Sequence, residues 1–143
     1  MAPVSGNVIP VNEVKDEAFA SEAMGKGVGI QPEDGKVYAP FDGNIDAVFP
    51  TRHLVGMSDA TGTEILIHIG VDTVKLEGRG FDLKVKQGDK VRKGDLLVEF
   101  DKELLEKEGY DTTVMFIVSD PSKNVKVHEG RKTAVKDCAF EII

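Results

Sequence analysis

The chain has a single cysteine, no tryptophan and two tyrosines among its 143 residues. One thiol, Cys138, excludes an internal disulfide, so the fold must rest on its packed core. The Ala-Phe-Glu-Ile-Ile run after it reads as a last strand, with the sulfur serving as a small apolar group. No apolar run approaches the roughly 18 residues that a membrane-spanning helix needs, and no basic–apolar–small leader opens the sequence; a cytoplasmic location is expected. Basic residues are in deficit. Eighteen Lys and Arg face 25 Asp and Glu, a net charge of −7, which argues against nucleic acid as a partner and suits a protein with a basic docking surface.

What is present is a series of short apolar runs divided by turns rich in Gly, Asp, Asn and Pro. Strands are predicted over 8–11, 28–31, 36–39, 44–49, 54–58, 64–69, 83–85, 96–100, 114–118, 125–128 and 139–143. That spacing predicts one all-β domain over 1–143, an antiparallel sandwich or barrel-like fold. One helix is expected over 102–108, with Asp101 as N-cap and Gly109 as stop, and a second short one over 17–23. An internal echo points to a duplicated motif: Ala2-Pro3-Val4-Ser5-Gly6-Asn7-Val8 and Ala39-Pro40-Phe41-Asp42-Gly43-Asn44-Ile45 share four identities at an offset of 37. A smaller echo joins Gly88-Asp89-Lys90 to Lys93-Gly94-Asp95.

The most informative stretch is Ile65-Leu66-Ile67-His68-Ile69-Gly70-Val71-Asp72. Alternation puts the three isoleucines on one strand face and Leu66 and His68 on the other. His53 lies upstream, across the polar turn Ser58–Thr63. A hairpin centred between Ala60 and Thr61 would oppose His53 to His68, Leu54 to Ile67 and Val55 to Leu66. Directly opposed residues have Cβ atoms about 4.5–5.5 Å apart, so the two imidazoles could share one small ligand. A one-residue slip would separate them.

At this point the chain resembles the glucose-type enzyme IIA domain of the bacterial phosphoenolpyruvate-dependent sugar phosphotransferase system. The resemblance runs almost end to end, through Ala2–Gly6, Asp16-Glu17-Ala18-Phe19, Gly25–Pro32, Ala39–Gly43, Phe49-Pro50-Thr51-Arg52-His53, Glu64–Val74, Leu76–Phe81, Gly88–Asp95 and Glu99-Phe100-Asp101. Gly109-Tyr110-Asp111-Thr112-Thr113 is closer to the β-glucoside and sucrose permease subgroup. The resemblance implies a duplicated antiparallel β-sandwich that relays a phosphoryl group. The group would come from the carrier phospho-HPr and pass to the IIB domain of a membrane sugar permease, with regulatory proteins as further partners.

In that family the histidine matching His68 is phosphorylated, the one matching His53 supports it, and the threonine matching Thr51 hydrogen-bonds the supporting imidazole. Phe19, Met24, Phe49 and Leu66 would form an apolar rim for docking, with Asp16 and Asp72 as acidic neighbours able to meet partner arginines. No cofactor is expected. No resident metal is expected either, although the resemblance allows a zinc shared between the histidine pair and a partner's carboxylate.

Two other functions compete with this one. The Gly-Asp turns between Val85 and Leu97 resemble part of a biotinyl or lipoyl carrier domain, whose modified lysine needs an exposed hairpin tip; only Asp101-Lys102 offers one, and it falls at a predicted helix start. A non-catalytic regulatory β-domain would take up no phosphate from HPr. His128 has no comparable context and reads as a surface residue. The chain could be free-standing or one domain of a longer permease.

Overall fold

The computed structural model describes residues 1–22, 25–120 and 123–142. Thirteen strands are described: β1 (Gly6–Pro10), β2 (Lys26–Pro32), β3 (Lys36–Tyr38), β4 (Gly43–Val48), β5 (Leu54–Ser58), β6 (Glu64–Ile69), β7 (Phe81–Leu83), β8 (Lys90–Val91), β9 (Leu96–Phe100), β10 (Val114–Val118), β11 (Val125–Val127), β12 (Gly130–Lys132) and β13 (Phe140–Ile142). Two short helices, α1 (Glu17–Ala20) and α2 (Lys102–Lys107), complete the regular elements with two 3₁₀ turns, Val11–Glu13 and Thr73–Leu76.

The strands form an eight-stranded sheet in the order β12-β1-β2-β10-β6-β5-β4-β8, a three-stranded sheet β3-β9-β7 and a pair β11-β13, with every pairing antiparallel. One apolar cluster joins all three. It draws Val28, Ile30, Val55, Ile65, Ile67, Ile69, Val114 and Phe116 from the large sheet, Val37, Phe81, Val98 and Phe100 from the small one, and Phe140 from the pair. Burying one face of each sheet against the other is what makes the arrangement a sandwich. Both helices start where expected. The Asp16 carboxylate accepts from Ala18 N at 3.1 Å and the Asp101 carboxylate from Leu104 N at 3.0 Å, each satisfying a donor left open at a helix start.

The internal echo is structural. Gly6 opens β1 and Gly43 opens β4, and a Cβ on either would lie 2.1–2.2 Å from a carbonyl of the next strand, Gln31 O or Ser58 O. The Gly-Asp echo docks in matching fashion. Gly88 N bonds Ile45 O while Ile45 N bonds Asp89 O; Gly94 N bonds Ala39 O while Ala39 N bonds Asp95 O, all at 2.8–2.9 Å. Each aspartate also accepts from the backbone three residues upstream, Asp89 from Lys86 N and Asp95 from Arg92 N.

Three expectations need correction. The strand predicted over 83–85 lies at β7, two residues earlier, and β8 and β12 are short pairings that no apolar alternation announces. The third is the register of the central hairpin: β5 and β6 pair Leu54 with His68, Val55 with Ile67 and Gly56 with Leu66, one residue off the predicted alignment. The cause is the loop. The Asp59 carboxylate accepts from Thr61 N, Thr61 Oγ1 and Thr63 N, and Asp59 N bonds Thr63 O, which closes five residues, 59–63, instead of an even number.

Candidate functional site: a histidine pair on the outer face of the large sheet

Strand β6 alternates as its sequence demands. Ile65, Ile67 and Ile69 are buried in the core, whereas Leu66 and His68 lie half-buried on the opposite face. Across that outer face the register builds two rows. One runs Ile9, Gly29, Met115, His68, Leu54; the other runs Gly27, Ile117, Leu66, Gly56.

The glycines shape the face. A Cβ on Gly29 would sit 2.4 Å from Val14 Cγ1, so the segment leading into α1 lies directly against the bare backbone of β2. That close approach lets Val11, Val14 and Phe19 form a second apolar cluster with Met115 and Ile117. It also brings the Phe19 ring within 4.9 Å of the His68 ring, centroid to centroid. Leu66 covers Gly56 on the other side, where a Cβ would meet Leu66 Cδ2 at 3.4 Å.

His53 reaches the same place by another route. Its backbone pairs with Ile69 (Ile69 N to His53 O, 2.7 Å), so strict alternation would have turned its side chain from His68. However, β5 begins only at Leu54. The preceding turn, closed by Arg52 N to Phe49 O with Arg52 at φ 61°, sets the direction of His53 in place of the pleat. The rings of His53 and His68 meet edge to face, with centroids 4.8 Å apart and planes at 83°. The sequence thus predicted the right neighbours through the wrong register.

Thr51 Oγ1 lies 2.7 Å from His53 Nδ1. His53 is 4% exposed and Phe49, 47% exposed, stands edge-on to it at 6.4 Å. Burial lowers the pKa of His53 from its ordinary value, against a smaller opposing contribution from the Thr51 backbone. His68 is pushed down further, to about 4. Burial is the main cause and the neighbouring His53 adds to it, while the Gly70 backbone and the Asp72 carboxylate pull the other way. Both rings are therefore neutral near pH 7. Nδ1 of His68 is sealed from solvent with no partner in full hydrogen-bonding geometry among the described residues, while the Gly70 backbone lies close enough to favour the protonated ring.

The loop after β6 is held from behind. Gly70 adopts φ 78°, and a Cβ there would lie 2.4 Å from Thr73 Cγ2. Thr73 Oγ1 bonds Ile69 O, Gly70 N bonds Thr113 O and Val71 N bonds Asp111 O. Asp111 in turn accepts from Thr113 N and Oγ1. Sequence reasoning did not single out Thr73, Asp111 or Thr113, although Asp-Thr-Thr is turn chemistry that would have flagged them. Asp72 is exposed and in a left-handed conformation just after β6, and Asp16, half-buried, caps α1. Of the expected rim, Phe19, Phe49 and Leu66 surround the pair, and Met24 lies outside the described residues. The larger surface hollows, such as a groove of about 660 Å³ bordered by Lys15, Gln31, Tyr110 and Thr112, are lined by neither histidine.

Comparison with known proteins identifies the family. The family described as "phosphoenolpyruvate-dependent sugar phosphotransferase system, EIIA 1" matches residues 1–124. The chain belongs to that family. It is 45% identical over 119 residues (83% of the chain, 19% of the relative) to a PTS system beta-glucoside-specific EIIBCA component of Dickeya chrysanthemi. It is 39% identical over 143 residues (99% and 21%) to a glucose-specific EIICBA component of Staphylococcus saprophyticus. The chain thus spans about a fifth of the length of the curated relatives it matches, whose names join the IIA part to B and C components. A solved structure, glucose permease IIA from Mycoplasma capricolum, superposes with a TM-score of 0.89 at 35% identity, covering 97% of this chain and 92% of that one. Among the described residues no helix is long and apolar enough to cross a membrane.

The carrier-domain alternative fails on its lysine. Lys102 is the first residue of α2, pairs with Glu106 at 2.5 Å and sits at no hairpin tip.

Proposed function

We propose that this domain relays a phosphoryl group, with His68 as the covalent acceptor and His53 as its stabiliser, between phospho-HPr and the IIB part of a sugar permease. The observation that carries the proposal is the half-buried, neutral imidazole of His68, its ring set edge to face against a second imidazole that Thr51 bonds.

A neutral His68 protonated at Nδ1 has its lone pair on Nε2. That pair attacks phosphorus in line; the N–P bond to the donor histidine breaks and its electrons return to the donor ring. With the Thr51 hydroxyl donating to His53 Nδ1, the ring proton of His53 resides on Nε2, from which it can donate to a phosphoryl oxygen as charge shifts. Aromatic and aliphatic groups around the pair exclude water, which strengthens that donation and protects the labile N–P bond. No metal or cofactor is required, since the transfer depends chiefly on positioning and charge stabilisation.

An apolar-rimmed surface pair, not an enclosed pocket, suits a protein donor over a small molecule. The net charge of −7 favours a basic docking face on that donor. Asp16 and Asp72 stand near enough to the rim to meet partner arginines.

The test is incubation with phosphoenolpyruvate, enzyme I and HPr, followed by intact mass and mapping of acid-labile phosphate. One phosphoryl group on His68 is expected. No uptake while HPr is shown to be charged would reject the relay and favour a regulatory binding domain. His53→Gln should still accept phosphate but deliver it slowly to IIB; unimpaired delivery would remove the role given to His53.

A further inference from the structure

At the far end of the chain, His128, Cys138 and Glu141 come together where the pair β11–β13 ends. The register pairs Val125 with Ile142, Lys126 with Glu141 and Val127 with Phe140, and continues through His128 N to Ala139 O at 2.9 Å. His128 Nε2 lies 3.1 Å from Glu141 Oε1, so the carboxylate is engaged by the histidine and not by Lys126 opposite it. Cys138, half-buried, donates its S–H to Phe140 O at 3.1 Å. One donor atom from each of the three residues lies within 4.8 Å of the other two.

From this cluster we infer a binding site for a zinc-class divalent cation, held by Cys138 Sγ, His128 Nε2 and Glu141 Oε with water in the fourth position. Bonds of about 2.0–2.3 Å in a tetrahedron place ligand atoms about 3.2–3.8 Å apart, so the trio needs a contraction of roughly 1 Å. His128 Nε2 and Glu141 Oε1 are already 3.1 Å apart, so the contraction falls on Cys138 Sγ, which can swing about its single χ1 bond. The donor set selects the metal: thiolate and imidazole favour zinc over magnesium or calcium, while the carboxylate disfavours copper(I). On binding, the Cys138 thiol releases its proton to solvent, the sulfur takes up the metal, and His128 keeps its ring proton on Nδ1.

The site would clamp the ends of the fold. The turn before Cys138 already bonds the first residues, Ala2 N to Asp137 O and Val135 N to Ala2 O, both at 2.8 Å. A metal on Cys138 would tie that turn to both strands of the pair. Nothing in this cluster touches the phosphoryl site, so the two assignments stand or fall separately.

Cobalt(II) titration of the reduced protein tests it, because Cys138 is the chain's one sulfur nucleophile. The expected result is a near-ultraviolet thiolate-to-cobalt charge-transfer band with tetrahedral-type visible bands. They should saturate at one equivalent and be displaced by zinc. The charge-transfer band should vanish in Cys138→Ser, and His128→Gln and Glu141→Gln should each weaken binding at least about tenfold. Zinc should raise the unfolding midpoint of the parent and not of Cys138→Ser. Absence of the sulfur band at several-fold excess of cobalt would overturn the site. So would a band unchanged in both His128→Gln and Glu141→Gln, which would mean binding by the thiol alone.

Discussion

The two faces of β6 carry residues drawn from one alternating hexapeptide, yet they do different things. Ile65, Ile67 and Ile69 are 0–2% exposed and fill the sandwich core. Leu66 and His68 stand on the other face, where glycines on β2 and β5 replace side chains and the α1 segment covers only part of the sheet. The inner face maximises apolar burial. The outer face leaves an imidazole half-buried, which lowers its proton affinity. The same strand gives stability on one side and, in the proposed function, chemistry on the other, with the buried inner face holding the outer one in place.

Substitutions can break this division in order of effect. His68→Gln should abolish phosphate uptake completely while leaving a folded protein, measured by intact mass and circular dichroism. The same variant has a pH signature. Because the folded pKa of His68 lies below its ordinary value of 6.5, the unfolded chain takes up that proton first. The stability tied to a neutral His68 is complete above about pH 6.5 and lost as pH falls toward about 4. His68→Gln should flatten the decline in unfolding free energy between pH 7 and 4.5. An unchanged slope would show that His68 is not the depressed group.

Ile67→Ala, one residue away and facing inward, should cost about 2–5 kcal/mol in denaturant unfolding yet accept phosphate normally once folded. Gly29→Ala places a methyl group 2.4 Å from Val14 Cγ1. It should cost about 1–3 kcal/mol and slow phosphate uptake by lifting the segment that carries Phe19. Uptake at the parental rate would mean that Phe19 does not shape the site. The mildest change is Thr51→Ala. Loss of its hydrogen bond to His53 should slow transfer by about 1 kcal/mol, roughly fivefold, and no change in rate would remove its orienting role.

Strand alternation made the site legible. Ile-Leu-Ile-His-Ile assigns His68 to the face opposite the core, and that holds whatever the hairpin register. The register itself was not legible, because it depends on three hydrogen bonds to the Asp59 carboxylate, and several turns compatible with Ser-Asp-Ala-Thr-Gly-Thr exist. Nor was the direction of His53 legible. It lies just outside its strand, where the left-handed Arg52 overrides the pleat, and the predicted pairing reached the correct neighbour only because the two departures offset each other. The contribution of Gly29 was hidden for a related reason: a glycine in a strand signals close approach, but the partner, Val14, comes from a segment whose path is tertiary. His128 and Cys138, read one at a time as a surface residue and a small apolar one, acquire a shared chemistry only through the β11–β13 pairing.

The most direct measurement is long-range ¹H–¹⁵N correlation of the histidine rings before and after phosphorylation. The account predicts a neutral His68 ring protonated at Nδ1 at pH 7, and a phosphoryl group on its Nε2 after transfer. A phosphoryl group on Nδ1 or on another residue, or a His68 ring already charged at pH 7, would contradict it.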